Sequence, residues 1–503
     1  MRFLTQRQLN ELNPAEEAAF PSPLPTQIVS SDEYLPAPQT PEQRRVEACL
    51  KEIGADYARK QKLSRRRFFQ TASGMAAAFL AMNRVWGPLF GVSEAEAATP
   101  EIADERAAAL KGQMILDAHT HFVRPGSRAT GLLQQRNAVG NLLHWNPDLA
   151  GRPPTIEDVQ YASYMKEIYL ESDTKVALLS NAPSDDPENW LLTQDQVFET
   201  RDKVNKEAGS RRMLAHFTIT PRQSGWLEAV DRAIEVLKPE GWKGYTIGDF
   251  LHMETSQHPW RLDDEKLVYP FYEKVAKAGV KNVCIHKGLF TPTAEQKYPH
   301  LRPYVDVSDV GRPAKDFPQL NFVIYHAGFR YVGGYPIGGL DEFNQTGRLA
   351  WTTDLAEIPG KLGVTNVYAD VGATFAWTCV GQPKLAAAIM GTLIKGLGSD
   401  HVIWGTDSIW TGSPQWQIEA LRRLEIPEEM QKQHGFGALG AADGPVKNAI
   451  LGQNGARIFG YDQHAELASP DRFAALKSEY ERMGAGRSNL RHGYVAPSGA
   501  VSG

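Results

Sequence analysis

Two histidines one residue apart, in Asp117-Ala118-His119-Thr120-His121, follow the short apolar run Met114-Ile115-Leu116. In an extended strand alternate side chains point to the same side, so His119 and His121 converge on one face. Two imidazoles at one strand end bind a single divalent cation. Three further polar residues stand just where an apolar run gives out. They are His286 after Val283-Cys284-Ile285, His326 after Val323-Ile324-Tyr325, and Asp407 after Ile403-Trp404-Gly405-Thr406. A buried core would continue each run with another aliphatic residue. One histidine in such a place reads as a satisfied core residue, but five polar residues at the ends of four runs point to one shared site.

The elements that must position these residues are eight short apolar runs: 113–118, 175–180, 213–219, 242–247, 280–285, 320–325, 365–371 and 401–405. Several are almost continuously apolar, as parallel strands buried on both faces are. Amphipathic segments lie between them at 158–171, 194–208, 226–237, 266–278 and 384–397, and another follows at 415–424. This alternation predicts the α/β class and a (β/α)₈ barrel of one domain over residues 110–465, with the active site at the C-terminal ends of its strands. An open doubly wound sheet is the alternative, weakened by the absence of a G-x-G-x-x-G turn after the first strand. The Gly-rich stretch 327–364 reads as an extended loop or cap over the barrel mouth. Residues 466–503 read as a C-terminal helix and a loose tail.

Composition narrows the function. The 503 residues are 42% hydrophobic and 22% charged, with a formal net charge of −5. That mild acidity gives no support to nucleic-acid binding. The three cysteines, Cys49, Cys284 and Cys379, form no C-x-x-C pair, so a thiolate zinc site is not expected. Eleven tryptophans suit a pocket for an apolar or aromatic small molecule, although most must serve core packing.

The first 97 residues read as separate from the catalytic domain. Residues 13–42, rich in Pro, Ser, Thr and acidic side chains, are expected to be disordered. Ser64-Arg65-Arg66-Arg67-Phe68-Phe69-Gln70, the Ala-rich run 71–82 and the small-x-small motif Ala95-Glu96-Ala97 form the pattern of a twin-arginine signal peptide. The run is too short and too weakly apolar for a stable membrane anchor. The expectation is export in the folded state by the twin-arginine machinery to the periplasm, with a mature start near Ala98. An Arg-capped amphipathic helix in a cytoplasmic protein is the competing reading, and the leader before the arginines is unusually long for a signal.

The strand-end pattern H-x-H, His, His, Asp resembles the amidohydrolase superfamily. The phrases "ILDAHTHF", "VCIHKG", "FVIYHAG", "VIWGTD" and "ILGQNGARIFG" are similar to its branch containing aminocarboxymuconate-semialdehyde decarboxylase, over roughly residues 113 to 462. The resemblance implies a site for one divalent metal, with His119, His121, His286 and Asp407 as ligands and His326 as acid/base. Asp407 would also orient water or pass on a proton. Zinc is the expected ion and manganese the alternative. Lys243 occupies the fourth-strand position that carries a metal-bridging carboxylated lysine in binuclear relatives, but no second ligand set accompanies it.

Three imidazoles and one carboxylate would leave a divalent ion net positive and open to water, whose pKa it would lower toward ~7. Hydrolysis of an ester, lactone or amide of a small organic acid follows, or metal-assisted decarboxylation of an aromatic or semialdehyde acid. The ligand pattern is common to both. Arg330 and Lys287 are candidates to pair with a substrate carboxylate, and Trp410, Trp145 and Phe329 for aromatic contact. His252 and His258 are weaker candidates. Relatives commonly pair, so a homodimer is expected.

Overall fold

The computed structural model describes residues 22–24, 40–127, 156–250, 252–331, 338–410, 412–468 and 470–482. The eight apolar runs become eight strands: β1 Leu116–Thr120, β2 Val176–Leu179, β3 Met213–Ile219, β4 Gly241–Tyr245, β5 Asn282–His286, β6 Asn321–Tyr325, β7 Val367–Asp370 and β8 Val402–Ile403. Each pairs in parallel with the next, in the order β1 to β8. Almost every strand residue is buried, because the inward face fills the barrel and the outward face meets helices. The turn after β8 closes back on β1: the Ala118 amide donates to the Trp404 carbonyl at 3.0 Å and the Asp407 amide to the His119 carbonyl at 2.8 Å. The result is the expected barrel, nearly closed.

Helices alternate with the strands as the amphipathic spacing predicts. Gln194–Ala208 begins in a capping box at Thr193 and stops at left-handed Gly209. The stretch 327–364 departs from the expected loop. It contains the helices Leu340–Thr346 and Thr352–Leu362, and the second packs on Pro383–Leu397. Gly347 and Gly363 end these helices in the left-handed conformation. Two of the glycines that suggest a loop are thus helix stops.

Residues 41–98 are folded against the barrel. Pro41–Lys60 starts at a Thr40 capping box, and Ala72–Trp86 packs across it with residues 72–82 all buried. Phe68 and Phe69, the apolar pair after the arginines, are wholly buried. Glu96 pairs with Arg423 of the barrel helix Gln415–Arg423, and both side chains are buried. The stretch expected as an export signal therefore lies here as a helical layer, continuing into Pro100–Leu110. Most of the expected disordered leader, and the tail from 483, lie outside the described residues. Among the described residues no helix is long and apolar enough to cross a membrane.

Candidate active site

His119 is the fourth residue of β1, His121 lies just past its end, and Asp407 sits in the turn after β8. Their ligand-capable atoms lie within 4.8 Å of one another, the one such group of His, Cys, Asp or Glu among the described residues. His119 Nε2 is 3.3 Å and His121 Nε2 3.4 Å from Asp407 Oδ1, and all three residues are buried.

The other ring nitrogens fix the tautomers. His121 Nδ1 lies 2.9 Å from the Ser180 carbonyl, which only accepts, so this nitrogen carries the proton and Nε2 a lone pair. His119 Nδ1 donates in the same way to Asp370 Oδ1 at 3.2 Å. His326 Nδ1 donates to the Gly372 carbonyl at 2.9 Å, leaving its Nε2 as an acceptor. The 3.1 Å contact from that atom to His286 Nδ1 must then be a bond donated by His286. His286 Nε2 is left as a buried lone pair with no hydrogen-bond partner among the described residues.

Two imidazole lone pairs facing one carboxylate, with a third orphaned nearby, fit a divalent cation. This is the tautomer pattern of ligating histidines whose far nitrogen is held by an acceptor. Lys243 brings one ammonium to the edge of the group, 3.3 Å from His119 Nε2 and 3.6 Å above the Tyr325 ring. His286 is not one of the close trio. It joins them through His326, whose ring centroid is 4.5 Å from that of His286 and 5.0 Å from that of His119.

Burial lowers His119, His121 and His286 well below the usual imidazole range, with Lys243 adding to the effect. His326 is lowered to about 3, again by burial and then by Lys243. All four rings are neutral near pH 7, the form that ligates a cation and accepts a proton.

Local backbone aims these groups. His326 and Asp407 have φ of 61° and 59°, the left-handed region that non-glycine residues avoid at some cost. Asp117 pins the Asp407 turn by accepting from the Thr406 amide at 3.0 Å and from the Thr406 hydroxyl. Gly405 is required by close approach, since a Cβ there would lie 1.9 Å from Asp370 Oδ2.

Aromatic rings wall the cluster. Trp410 stacks on His121 at 5.9 Å and 19°, Tyr245 stacks on His286 at 4.8 Å and 25°, and Phe250 lies 4.7 Å from His286. Lys287, expected to reach a substrate carboxylate, is instead wholly buried and donates to Asp309 and to the Tyr304 carbonyl, each at 2.8 Å. Arg330, expected in the same role, pairs with Glu295 and lies over Trp351. Phe329 is buried against Tyr331, His252 pairs with Asp249 at 3.3 Å, and Trp145 lies outside the described residues. Sequence reading passed over Asp370, Tyr245 and Phe250. Asp370 was findable, for it ends the run Val367-Tyr368-Ala369 as the other polar residues end theirs.

The amidohydrolase family model matches residues 116–461, and the chain belongs to that family. It is an enzyme of the amidohydrolase superfamily. No curated protein matches the chain. Among solved structures it is similar to an uncharacterized TIM-barrel protein of Bordetella bronchiseptica, at 14% identity over 69% of this chain and 98% of that one, with a TM-score of 0.44. It is also similar to a 2,6-dihydroxybenzoate decarboxylase from Rhizobium, at 16% identity over 69% and 99% of the chains and a TM-score of 0.41. A 5-carboxyvanillate decarboxylase from Sphingomonas paucimobilis shares 15% identity over 70% and 100%, with a TM-score of 0.40.

Proposed function

We propose that this enzyme is a metal-dependent hydrolase of an ester, lactone or amide of a small, aromatic-bodied organic acid. The observation that carries the reading is the convergence of the His119 and His121 lone pairs on Asp407, with His286 and His326 alongside. Zinc is the ion we assign to three imidazoles and a carboxylate, with manganese second. When bound, a divalent ion supplies Lewis acidity and lowers the pKa of water.

The chain's own residues supply the rest. His326, neutral and with its lone pair at Nε2, accepts the proton released from the attacking water once its bond from His286 Nδ1 gives way, and returns it to the leaving group. The Gly372 carbonyl holds that ring in the required tautomer. Trp410, Tyr245 and Phe250 exclude water and offer flat surfaces to an aromatic body. Because Lys287 and Arg330 are already neutralised by Asp309 and Glu295, the site's outer cations favour an uncharged substrate group over a carboxylate.

Decarboxylation of an aromatic acid is the second reading, favoured by the same aromatic walls. Incubating the purified protein with aryl esters, lactones and hydroxybenzoates separates them: acid release supports hydrolysis, and carbon dioxide from the carboxylates supports the alternative. Metal analysis of wild type and His286→Ala tests the site beneath both. Roughly one equivalent of divalent metal in wild type and much less in the variant is expected, and equal content would remove His286 from the ligand set.

A further inference from the structure

A cavity of about 400 Å³ lies at the end of the barrel away from the histidine cluster. It is lined by Lys175, which directly precedes β2, and Arg212, which directly precedes β3, so it opens at the N-terminal ends of these strands, whereas the histidine cluster lies at the C-terminal ends of their neighbours in the barrel. One wall is apolar: Met75 of the helix Ala72–Trp86, Ala103 and Ala107 of Pro100–Leu110, and Phe473 of Arg472–Arg482. Its size suits a small organic ligand.

The charges around it are unequally satisfied. Arg422 is paired with Asp173 at 2.7 Å and Glu419 at 2.8 Å, Arg106 with Glu419 at 2.9 Å, and Arg212 with Asp471 at 2.5 Å. Lys477 donates to the Ser172 carbonyl. The ammonium groups of Lys175 and Lys111 line the same cavity, and neither has a hydrogen-bond or ion-pair partner among the described residues. Lys175 is also partly buried, and the carboxylate that acts on it, Asp173, is already shared with Arg422 at 2.7 Å and Lys477 at 3.6 Å. Burial is the main reason its pKa falls to about 8; Asp173 pulls it back up, and the like charges of Lys477, Arg212 and Arg422 add to the lowering.

From this geometry we infer that the cavity is a non-catalytic binding site for a small carboxylate with an apolar body, the carboxylate held by Lys175 and the body against Met75, Ala103, Ala107 and Phe473. The ligand would touch the N-terminal layer, the barrel and the C-terminal helix together, and so would bind the folded assembly of all three. The inference does not depend on which reaction the histidine cluster performs.

Thermal melts and isothermal titration of the full-length protein with benzoate test it, with benzyl alcohol and benzylamine as the neutral and cationic controls. Saturable benzoate binding with a rise in Tm is expected, absent with both controls. Affinity should fall about tenfold or more in Lys175→Met, as loss of one charge-assisted contact predicts, and persist in Lys175→Arg and in His286→Ala. No benzoate binding, binding undiminished in Lys175→Met, or binding lost in His286→Ala would each overturn the inference. Should Lys175→Met fold poorly, Lys175→Arg retaining the affinity while Ala107→Glu, which sets a carboxylate against the apolar wall, loses it gives the same decision.

Discussion

At the scale of single residues, the site is decided by which nitrogen of each imidazole is tethered. Asp370 has the clearest part, since it accepts from Nδ1 of His119 and so fixes that ring's tautomer. Burial pushes Asp370 up to about 7, so a cation on the far side of His119 would favour its ionised form. We expect Asp370→Asn to weaken metal affinity by about 10- to 100-fold, read by chelator competition with the circular dichroism spectrum unchanged. His326→Asn should keep its metal and lose about 10²- to 10⁴-fold in kcat on whichever substrate the screen identifies. A variant that lost metal instead would make His326 a ligand rather than a proton carrier. The five strand-end residues were legible because a polar residue closing an apolar run is conspicuous. The pairing of Lys287 with Asp309 was not, since a separation of 22 positions brings no visible periodicity to the contact.

At the scale of elements, the strands were legible to within about three residues, because parallel strands buried on both faces leave an uninterrupted apolar signature. The helices in 327–364 were hidden by the very glycines that terminate them. The helix Gln415–Arg423 shows what sequence cannot reveal. Its Glu419 accepts from Arg106, Arg422 and Arg423 at 2.9, 2.8 and 3.2 Å, and two of those three arginines lie on the same helix. Burial pushes the Glu419 carboxyl up, yet the three guanidinium charges together hold it at about 2. A carboxyl whose folded pKa is depressed stabilises the fold above its ordinary value near 4.5 and loses that contribution as pH falls toward 2. Glu419→Gln should therefore destabilise the protein by about 3–5 kcal/mol at pH 7 in denaturant unfolding. The gap to wild type should close between pH 4.5 and 2, and a gap constant across that window would assign the effect to packing.

At the scale of the whole molecule, the catalytic barrel is joined to a layer built from its own N-terminal residues. The run 71–82 was recognisable as a mildly apolar, Ala-rich stretch, but its chemistry suits a signal peptide and a packed core equally, and only tertiary contacts separate the two. Here the contacts are extensive: residues 72–82 are buried, and Glu96 neutralises Arg423. A chain beginning at Ala98 should melt several degrees below the full chain, because it leaves that guanidinium with Glu419 alone and uncovers an apolar face. Intact-mass measurement of the protein recovered from its native cell decides whether the layer stays, a mass from Met1 onward meaning that it does. Phe68 and Phe69 carry a further consequence. Any receptor that recognises the arginines together with these two rings must read them while the nascent chain is still open, for completing the fold erases the address. Folding would then compete with any such recognition, and mutations that slow it would lengthen the interval in which these two rings stay open to a partner.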